Sequence, residues 1–455
     1  MSELLGVINI ILMAGAGLFF LALGITSLRE RRFRAAGISG LLLLANCIFW
    51  IALTADLDIN WVRWINIASV ALIAVFSSLS LVRYFPRSRE GRNTEEASRY
   101  DERDNMFSRN NLQHYPELME EYYRDKPAKM KTDREIHSRP EFGEPTQTYY
   151  HRYATPVYEA AFEYIERTIP VSDGETAAEK KDIDAEELKK YIAYAARFYG
   201  ACDVGFTPLK GYHLYSHRGR HAEGWGDRIV NDHNSAIVIA LRMDPDMIRS
   251  APAGRVVQES FRKYVEASKV SDIIAAYIRS FGYEARAHND ANYETVCVPL
   301  AVDAGMGELG RMGLLVHRKY GPLVRLAVVT TELELDGTGE KDQHIADFCM
   351  ICRKCSDNCP GGAISGEDEP VSRGFRHWSI QQERCYRFWK KIGTDCGICL
   401  SVCPYSKPDT LMHRLVRLYI SRNRINQRIA LLFDDLLYGR RKKIIQSNPE
   451  DIFPG

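Results

Sequence analysis

Eight of the eleven cysteines lie between Cys349 and Cys403, and their spacing constrains the fold more than any other feature. Cys349-x2-Cys352-x2-Cys355-x3-Cys359-Pro360 is followed by Cys385 and then by Cys396-x2-Cys399-x3-Cys403-Pro404. Short gaps let three thiolates of one loop converge, and the proline after each run stops the chain from folding over the site. This spacing is that of two-cluster iron–sulfur sites, in which the cysteine before proline reaches the other cluster. It predicts two [4Fe-4S] clusters, one on Cys349, Cys352, Cys355 and Cys403 and the other on Cys359, Cys385, Cys396 and Cys399. Zinc is the alternative for any CxxC pair, but the repeated CxxCxxxCP spacing favours iron. Gly361, Gly362 and Gly397 allow close passage of the backbone to sulfide, where its hydrogen bonds help set reduction potential. Clustering of this kind argues for metal rather than disulfides. Cys47, Cys202 and Cys297 sit in apolar surroundings and read as small buried hydrophobes.

Three stretches near the N-terminus, Leu4–Leu28, Ala35–Ala55 and Trp64–Val82, carry no charged side chain. Each is about long enough to cross a ~30 Å hydrocarbon layer as a helix. The first lacks the short apolar region, basic leader and small-residue cleavage site of a signal peptide, and no twin-arginine motif precedes it. Arg29, Arg31, Arg32 and Arg34 lie between spans one and two, and Arg83, Arg87, Arg89 and Arg92 follow span three. The loop between spans two and three holds Asp56 and Asp58, with Arg63 at its end. The positive-inside rule then places everything after Arg83 in the cytoplasm of a three-span protein of the cell inner membrane, where thiols stay reduced.

The chain divides into a three-helix anchor (1–85), a charged linker or wrapping arm (86–148), an α/β domain (149–340), a two-cluster domain (341–410) and a basic C-terminal helix and tail (411–455). Residues 88–148 are charged, poor in aliphatics and interrupted by Pro116, Pro127, Pro140 and Pro145, so little core of their own is expected. From Tyr149 the pattern is globular. Ala185–Tyr199 has helical apolar spacing and ends at Gly200. Ser235–Leu241 (SAIVIAL) and Val324–Thr330 (VRLAVVT) read as buried strands, and Val270–Ser280 as an amphipathic helix ending near Gly282. Helices and strands in alternation favour a layered α/β or α+β fold.

Gly305, Gly307, Gly310 and Gly313 in DAGMGELGRMG superficially match a dinucleotide fingerprint, but no clear strand precedes them and no clear helix follows. Close approach of backbone to a large ligand is the other use for such a run. The formal charge of +1 gives no overall field that would recruit nucleic acid. His213, His217, His221 and His233 occupy a polar segment with no metal-site spacing and read as a solvated loop.

Over most of Tyr149–Tyr438 the sequence resembles the cobalamin-dependent reductive dehalogenases. The resemblance is carried by VPLAVDAGMGELGRMGLL (298–315), YGPLVRLAVVTTELELD (320–336), FCMICRKCSDNCPGGAI (348–364) and DDLLYGRR (434–441). Epoxyqueuosine reductases are related. The resemblance implies a nitroreductase-like cobalamin-binding α/β domain joined to a bacterial-ferredoxin-like two-cluster domain, here preceded by three transmembrane helices. It also implies a base-off corrinoid with no histidine on cobalt, consistent with the lack of a DxHxxG motif, and a glycine-rich segment (Gly305, Gly307, Gly310, Gly313) beside the cofactor. The family's proton donor is a tyrosine on the helix before a GY pair, which matches Tyr264 ahead of Gly282-Tyr283. Arg311 is the match for the basic residue that stabilises its phenolate. Asn289 or Asn292 fills a further active-site position.

The implied activity is reductive removal of halide from a small organohalide, with electrons from a quinol or a ferredoxin- or flavodoxin-type donor. Own spans in place of a separate anchor protein would raise effective concentration at the quinone pool. Two rivals remain: an epoxyqueuosine-reductase-like cobalamin enzyme, and a non-catalytic membrane-tethered iron–sulfur carrier. Arg414, Arg417, Arg422, Arg424 and Arg428, mixed with apolar residues at helical intervals, suit either contact with membrane lipid or packing on the chain's own domain.

Overall fold

The computed structural model describes residues 2–54, 60–82, 97–290, 292–339, 343–368, 371–372 and 375–443. Asp56, Asp58 and the arginines after Val82 used for orientation lie outside the described residues. Two compact units are present: Met1–Glu90 with Pro408–Arg441, and Gly91–Lys407 with Lys442–Gly455.

In the first unit, helices Ser2–Arg29, Phe33–Thr54 and Asn60–Leu81 contain windows long and apolar enough to cross a membrane. Most of their large apolar side chains stay exposed, Leu18, Leu41 and Leu72 among them, as expected of surfaces solvated by lipid. Helices Leu411–Ile420 and Arg424–Tyr438 belong to this unit.

The second unit is built on strands β1 (Asp203–Pro208), β2 (Ser235–Arg242), β3 (Ala285–His288), β4 (Gly307–Leu309), β5 (Leu315–His317) and β6 (Val324–Thr331). Four of them form an antiparallel sheet in the order β1-β2-β6-β3, while β4 and β5 make a separate hairpin. β2 is central and buried on both faces, which explains its unbroken apolar run. Its side chains alternate with period two. Ile237, Ile239 and Leu241 pack with Ile192 and Ala196 of helix Ala185–Phe198 and with Val270, Ile274 and Ile278 of helix Gly254–Arg279. Ala236, Val238 and Ala240 face Leu300 and Ala301 of helix Cys297–Asp303 on the other side.

The long helix Gly254–Arg279 begins well before the expected Val270, because its first half buries polar side chains, including Gln258, Glu259, Ser260 and Lys263. Residues 97–148 also depart from expectation. They form helices Met106–Asn111, Pro116–Asp125 and Pro127–His137, with a small core of Leu112, Tyr122 and Tyr123. Several of the charges that suggested a linker are paired inside. Fully buried Arg109 bonds Asp133 at 2.9 Å and Glu383 at 2.6 Å, and buried Lys390 bonds Glu141 at 2.8 Å. Burial pushes the Glu383 carboxyl up, but Lys129 and Arg109 outweigh it and hold that group at about 2. Charge content alone does not distinguish a solvated arm from one clasping helix Gln382–Ile392, the carrier of Cys385.

Candidate active site

Cys349 and Cys352 lie on helix Ile345–Cys352, Cys355 on the short helix Lys354–Asp357, and Cys403 at the end of helix Ile398–Val402. These four thiols line one small cavity, together with Arg311, Met312, Phe348 and Tyr405. Cys403 has Cys349, Cys352 and Cys355 as its electrostatic neighbours. Cys385 faces Cys396 and Cys359, and Cys399 faces all three of these. Cys399 also faces Cys355, so the two groups of four thiols adjoin.

Among the described residues no three His, Cys, Asp or Glu side chains converge closely enough for a single metal ion. Thiols spread around a shared cavity fit a larger, multi-iron body. Left as thiols they resist ionisation: burial pushes Cys349, Cys355, Cys385 and Cys396 up to about 12. Only a strongly binding cation offsets such a cost, since a coordinated thiol loses its proton outright.

The glycine-rich run packs tightly in this region. A Cβ on Gly307 would stand 2.2 Å from the Val316 carbonyl oxygen, and one on Gly310 would stand 2.6 Å from the Val316 side chain and 3.9 Å from Cys349 Sγ. Gly305 and Gly313 have positive φ angles of 70° and 72°, and a Cβ on Gly313 would press on Ile380 N at 3.0 Å. The missing side chains let the β4–β5 hairpin close on itself and approach the first cysteine group.

Tyr264 projects from helix Gly254–Arg279 into a different region. Tyr215, Tyr264, Tyr293, Cys297, Arg325 and Asp395 are all strongly desolvated, yet each keeps accessible surface. These side chains form one desolvated, only partly covered cluster. Those surrounding Tyr293 include Cys297, Asp290, Tyr264 and Tyr215, so they are mutual neighbours.

The base beside Tyr264 is Arg325 of β6, not Arg311. The Arg325 guanidinium carbon stands 5.1 Å from the Tyr264 ring centroid, and its Nη2 lies 2.6 Å from Ser260 Oγ and 3.5 Å from Asp395 Oδ2. Ser260 in turn donates to Asp395 at 2.6 Å. Ser260 precedes Tyr264 by four residues, which puts both on one face of the helix. Asp395 immediately precedes Cys396, so this network reaches the second cysteine group directly. Burial pushes the Tyr264 phenol up to about 12, and the Arg325 charge opposes that shift.

Arg311 is fully buried, with its guanidinium 4.6 Å from the Trp378 ring centroid. It donates to the carbonyls of Cys349 at 3.0 Å, Ser365 at 2.9 Å and Glu367 at 2.6 Å, which commits it to the first cysteine group. Asn289 is turned back to Asp272 at 3.2 Å, and Asn292 accepts from Arg286 at 2.8 Å. The side chain in this segment that faces Tyr264 is Asp290. The histidine-bearing segment is not a solvated loop throughout. His213 is fully buried with Nε2 3.0 Å from Asp303 Oδ2, and His233 Nδ1 lies 2.8 Å from Thr330 Oγ1.

Sequence reasoning missed Arg325, Ser260 and Asp395. An arginine inside an otherwise apolar strand, VRLAVVT, was the available signal, because a buried charge requires a partner.

Residues 348–407 match the family described as a 4Fe-4S dicluster domain. The chain is 35% identical over 280 residues to a tetrachloroethene reductive dehalogenase of Desulfitobacterium hafniense, an alignment covering 51% of this chain and 50% of the relative. An epoxyqueuosine reductase of Lactococcus garvieae is 33% identical over 117 residues, covering 25% of this chain and 32% of that protein. Among solved structures, the catabolic reductive dehalogenase NpRdhA in complex with 3-bromo-4-hydroxybenzoic acid matches with a TM-score of 0.64 at 22% identity, over 80% of this chain and 49% of that one. The chain spans about half the length of the dehalogenase it matches. It is a homologue of the reductive dehalogenases, shares their fold, and has epoxyqueuosine reductases as further relatives.

Proposed function

We propose that this chain is a membrane-anchored reductive dehalogenase whose catalytic unit faces the cytoplasm. The observation that carries the reading is the desolvated cluster in which Tyr264, Arg325, Ser260 and Asp395 meet, with Asp395 adjacent in sequence to Cys396. The net reaction joins two electrons and one proton to a carbon–halogen bond, giving a carbon–hydrogen bond and halide. Cys349, Cys352, Cys355 and Cys403 hold one [4Fe-4S] cluster; Cys359, Cys385, Cys396 and Cys399 hold the other, next to the Tyr264 site. Electrons then reach that site from the Cys396 side.

The Tyr264 site suits cobalamin in its donor set: aromatic side chains at Tyr215 and Tyr293, and a buried Arg325 Nε without a partner among the described residues. Bound there in its base-off form, cobalamin would supply a strongly reducing cobalt to the carbon–halogen bond. Tyr264 keeps its proton through the neutral range, because removal from water disfavours the phenolate. When the substrate carbon takes that proton, a phenolate is left whose ring lies 5.1 Å from the Arg325 guanidinium, and that charge lowers the cost of the transfer. Asp395 and Ser260 fix the guanidinium in place. Desolvation of the site excludes water that would compete as proton source.

Arg311 acts at the first cluster. Its nitrogens donate only to main-chain oxygens among the described residues, so its counter-charge is the thiolate-bound cluster. A positive charge held there favours the reduced state.

Anaerobically reconstituted full-length protein, given a low-potential reductant and a panel of aryl and alkyl halides, is expected to release halide only when corrinoid is present. Turnover of an epoxyqueuosine substrate without halide release from any member of the panel would assign the chain to the other branch.

A further inference from the structure

The C-terminal helices Leu411–Ile420 and Arg424–Tyr438 have two faces that the catalytic reading does not use. One is buried within their own unit: Met412 and Leu437 pack with Leu23 and Ala35 of the first two apolar helices. Polar side chains fix the join. Asn423 Nδ2 donates to the carbonyls of Leu79 at 3.1 Å and Val82 at 2.9 Å, and Asn426 Nδ2 donates to that of Ser80 at 2.9 Å. These carbonyls lie in and just after the last turn of the third apolar helix, where intrahelical donors run out. His413 Nε2 lies 2.9 Å from Glu30 Oε1 in the turn after the first. The pair is thereby held at the end of the bundle where the first and third apolar helices finish.

The other face is apolar and open. Leu411, Leu415 and Leu418 recur at i, i+4 and i+7 and are 69%, 51% and 53% exposed; Ile425, Leu432 and Leu436 make a second exposed stripe. Arg414, Arg424 and Arg428 are also exposed on these two helices. Stripes of this kind on adjoining helices are too apolar for water. They adjoin the exposed apolar surface of the three spanning helices, and arginines at their margins complement negative charge.

We propose that these two helices lie in the membrane interface, with the leucine stripes at the boundary between headgroups and acyl chains and the arginines against anionic phospholipid. This rests on the reading of the three N-terminal helices as membrane spans. Helices with apolar and basic faces partition there by burying apolar area and by attraction to anionic headgroups. The arrangement places a second, charge-selective lipid contact at that end of the bundle.

The test uses the full-length holoprotein in nanodiscs, with an environment-sensitive fluorescent amino acid placed singly at Leu418, Leu432, Leu41 or Phe198, and lipids brominated at defined acyl depths. Labels at 418 and 432 are expected to be quenched by shallow bromines, the label at 41 by deep ones, and the label at 198 by neither. Quenching at 418 and 432 should increase when phosphatidylglycerol replaces part of the phosphatidylcholine, and that increase should disappear in an Arg414→Gln/Arg428→Gln variant. Unquenched labels at 418 and 432 with a quenched label at 41 overturn this proposal alone. Burial of those two labels only on concentration-dependent self-association would assign the stripes to a second copy instead. No quenching at 41 overturns the membrane-span reading itself.

Discussion

Removal from water acts on the thiols around Cys403 and on the phenol of Tyr264 in the same direction, and the two regions put it to opposite use. At the cysteine groups, burial holds on to protons that must leave, so each site is completed only by a strongly bound cation. Around Tyr264, burial holds on to a proton that, on the proposed reading, stays until the substrate carbon takes it. The counter-charges differ accordingly. Arg311 is locked by four main-chain carbonyls and remains a fixed positive charge through the redox cycle. Arg325 is held by side chains, Ser260 and Asp395, and meets the phenol through its ring. On the proposed reading, one arginine serves electrons and the other a proton.

That contrast can be broken by exchange of single groups. The largest effect is expected for Tyr264→Phe, which deletes the proton source and should lower turnover by roughly 10^2- to 10^4-fold while both iron–sulfur EPR signals persist. Arg325→Lys, which keeps a charge near the phenol, should lose less than Arg325→Gln. Equal losses in the two arginine variants would mean that the guanidinium only packs. A smaller effect is expected for Arg311→Gln: one cluster should shift to more negative potential in an anaerobic EPR titration, with the other unchanged. An unaltered pair of potentials would remove Arg311 from the electron path.

The smallest effect concerns stability. Burial pushes the Asp272 carboxyl up to about 6, against hydrogen bonds from Ser172 and Asn289 and the charge of Arg279. A carboxyl raised above its unfolded value binds its proton more tightly in the folded chain, so its contribution declines as pH rises from near 4 to near 6 and remains unfavourable above that. Asp272→Asn should therefore stabilise the protein by about 1 kcal/mol near pH 8 and change little near pH 4. Thermal unfolding at the two pH values checks the sign.

The same contrast explains which parts could be read from sequence. The cysteine ligands all come from one segment, so their spacing survives in the order of the residues, and the three apolar runs and the strands β2 and β6 are local for the same reason. The Tyr264 site is assembled from far apart: Tyr264 from a helix, Arg325 from a strand and Asp395 from the loop before Cys396. Nothing local links them. Arg311 sits in GELGRMG close to the cysteine segment, and a family resemblance carried by sequence alone could not distinguish its service to Cys349 from service to Tyr264. The arm at 97–148 was obscured because its charges resemble solvated ones until Asp133, Glu383 and Glu141 are brought against Arg109 and Lys390.

The most direct test of the central claim is the low-temperature EPR spectrum of the full-length protein, reconstituted anaerobically with iron, sulfide and corrinoid and poised at a series of potentials. Two [4Fe-4S] signals together with a cob(II)alamin signal free of nitrogen hyperfine from an axial base, and magnetic broadening of that signal as the nearer cluster is reduced, are the predicted result. Retention of iron in both cysteine groups with no bound corrinoid, or a cob(II)alamin signal indifferent to cluster reduction, would contradict the account.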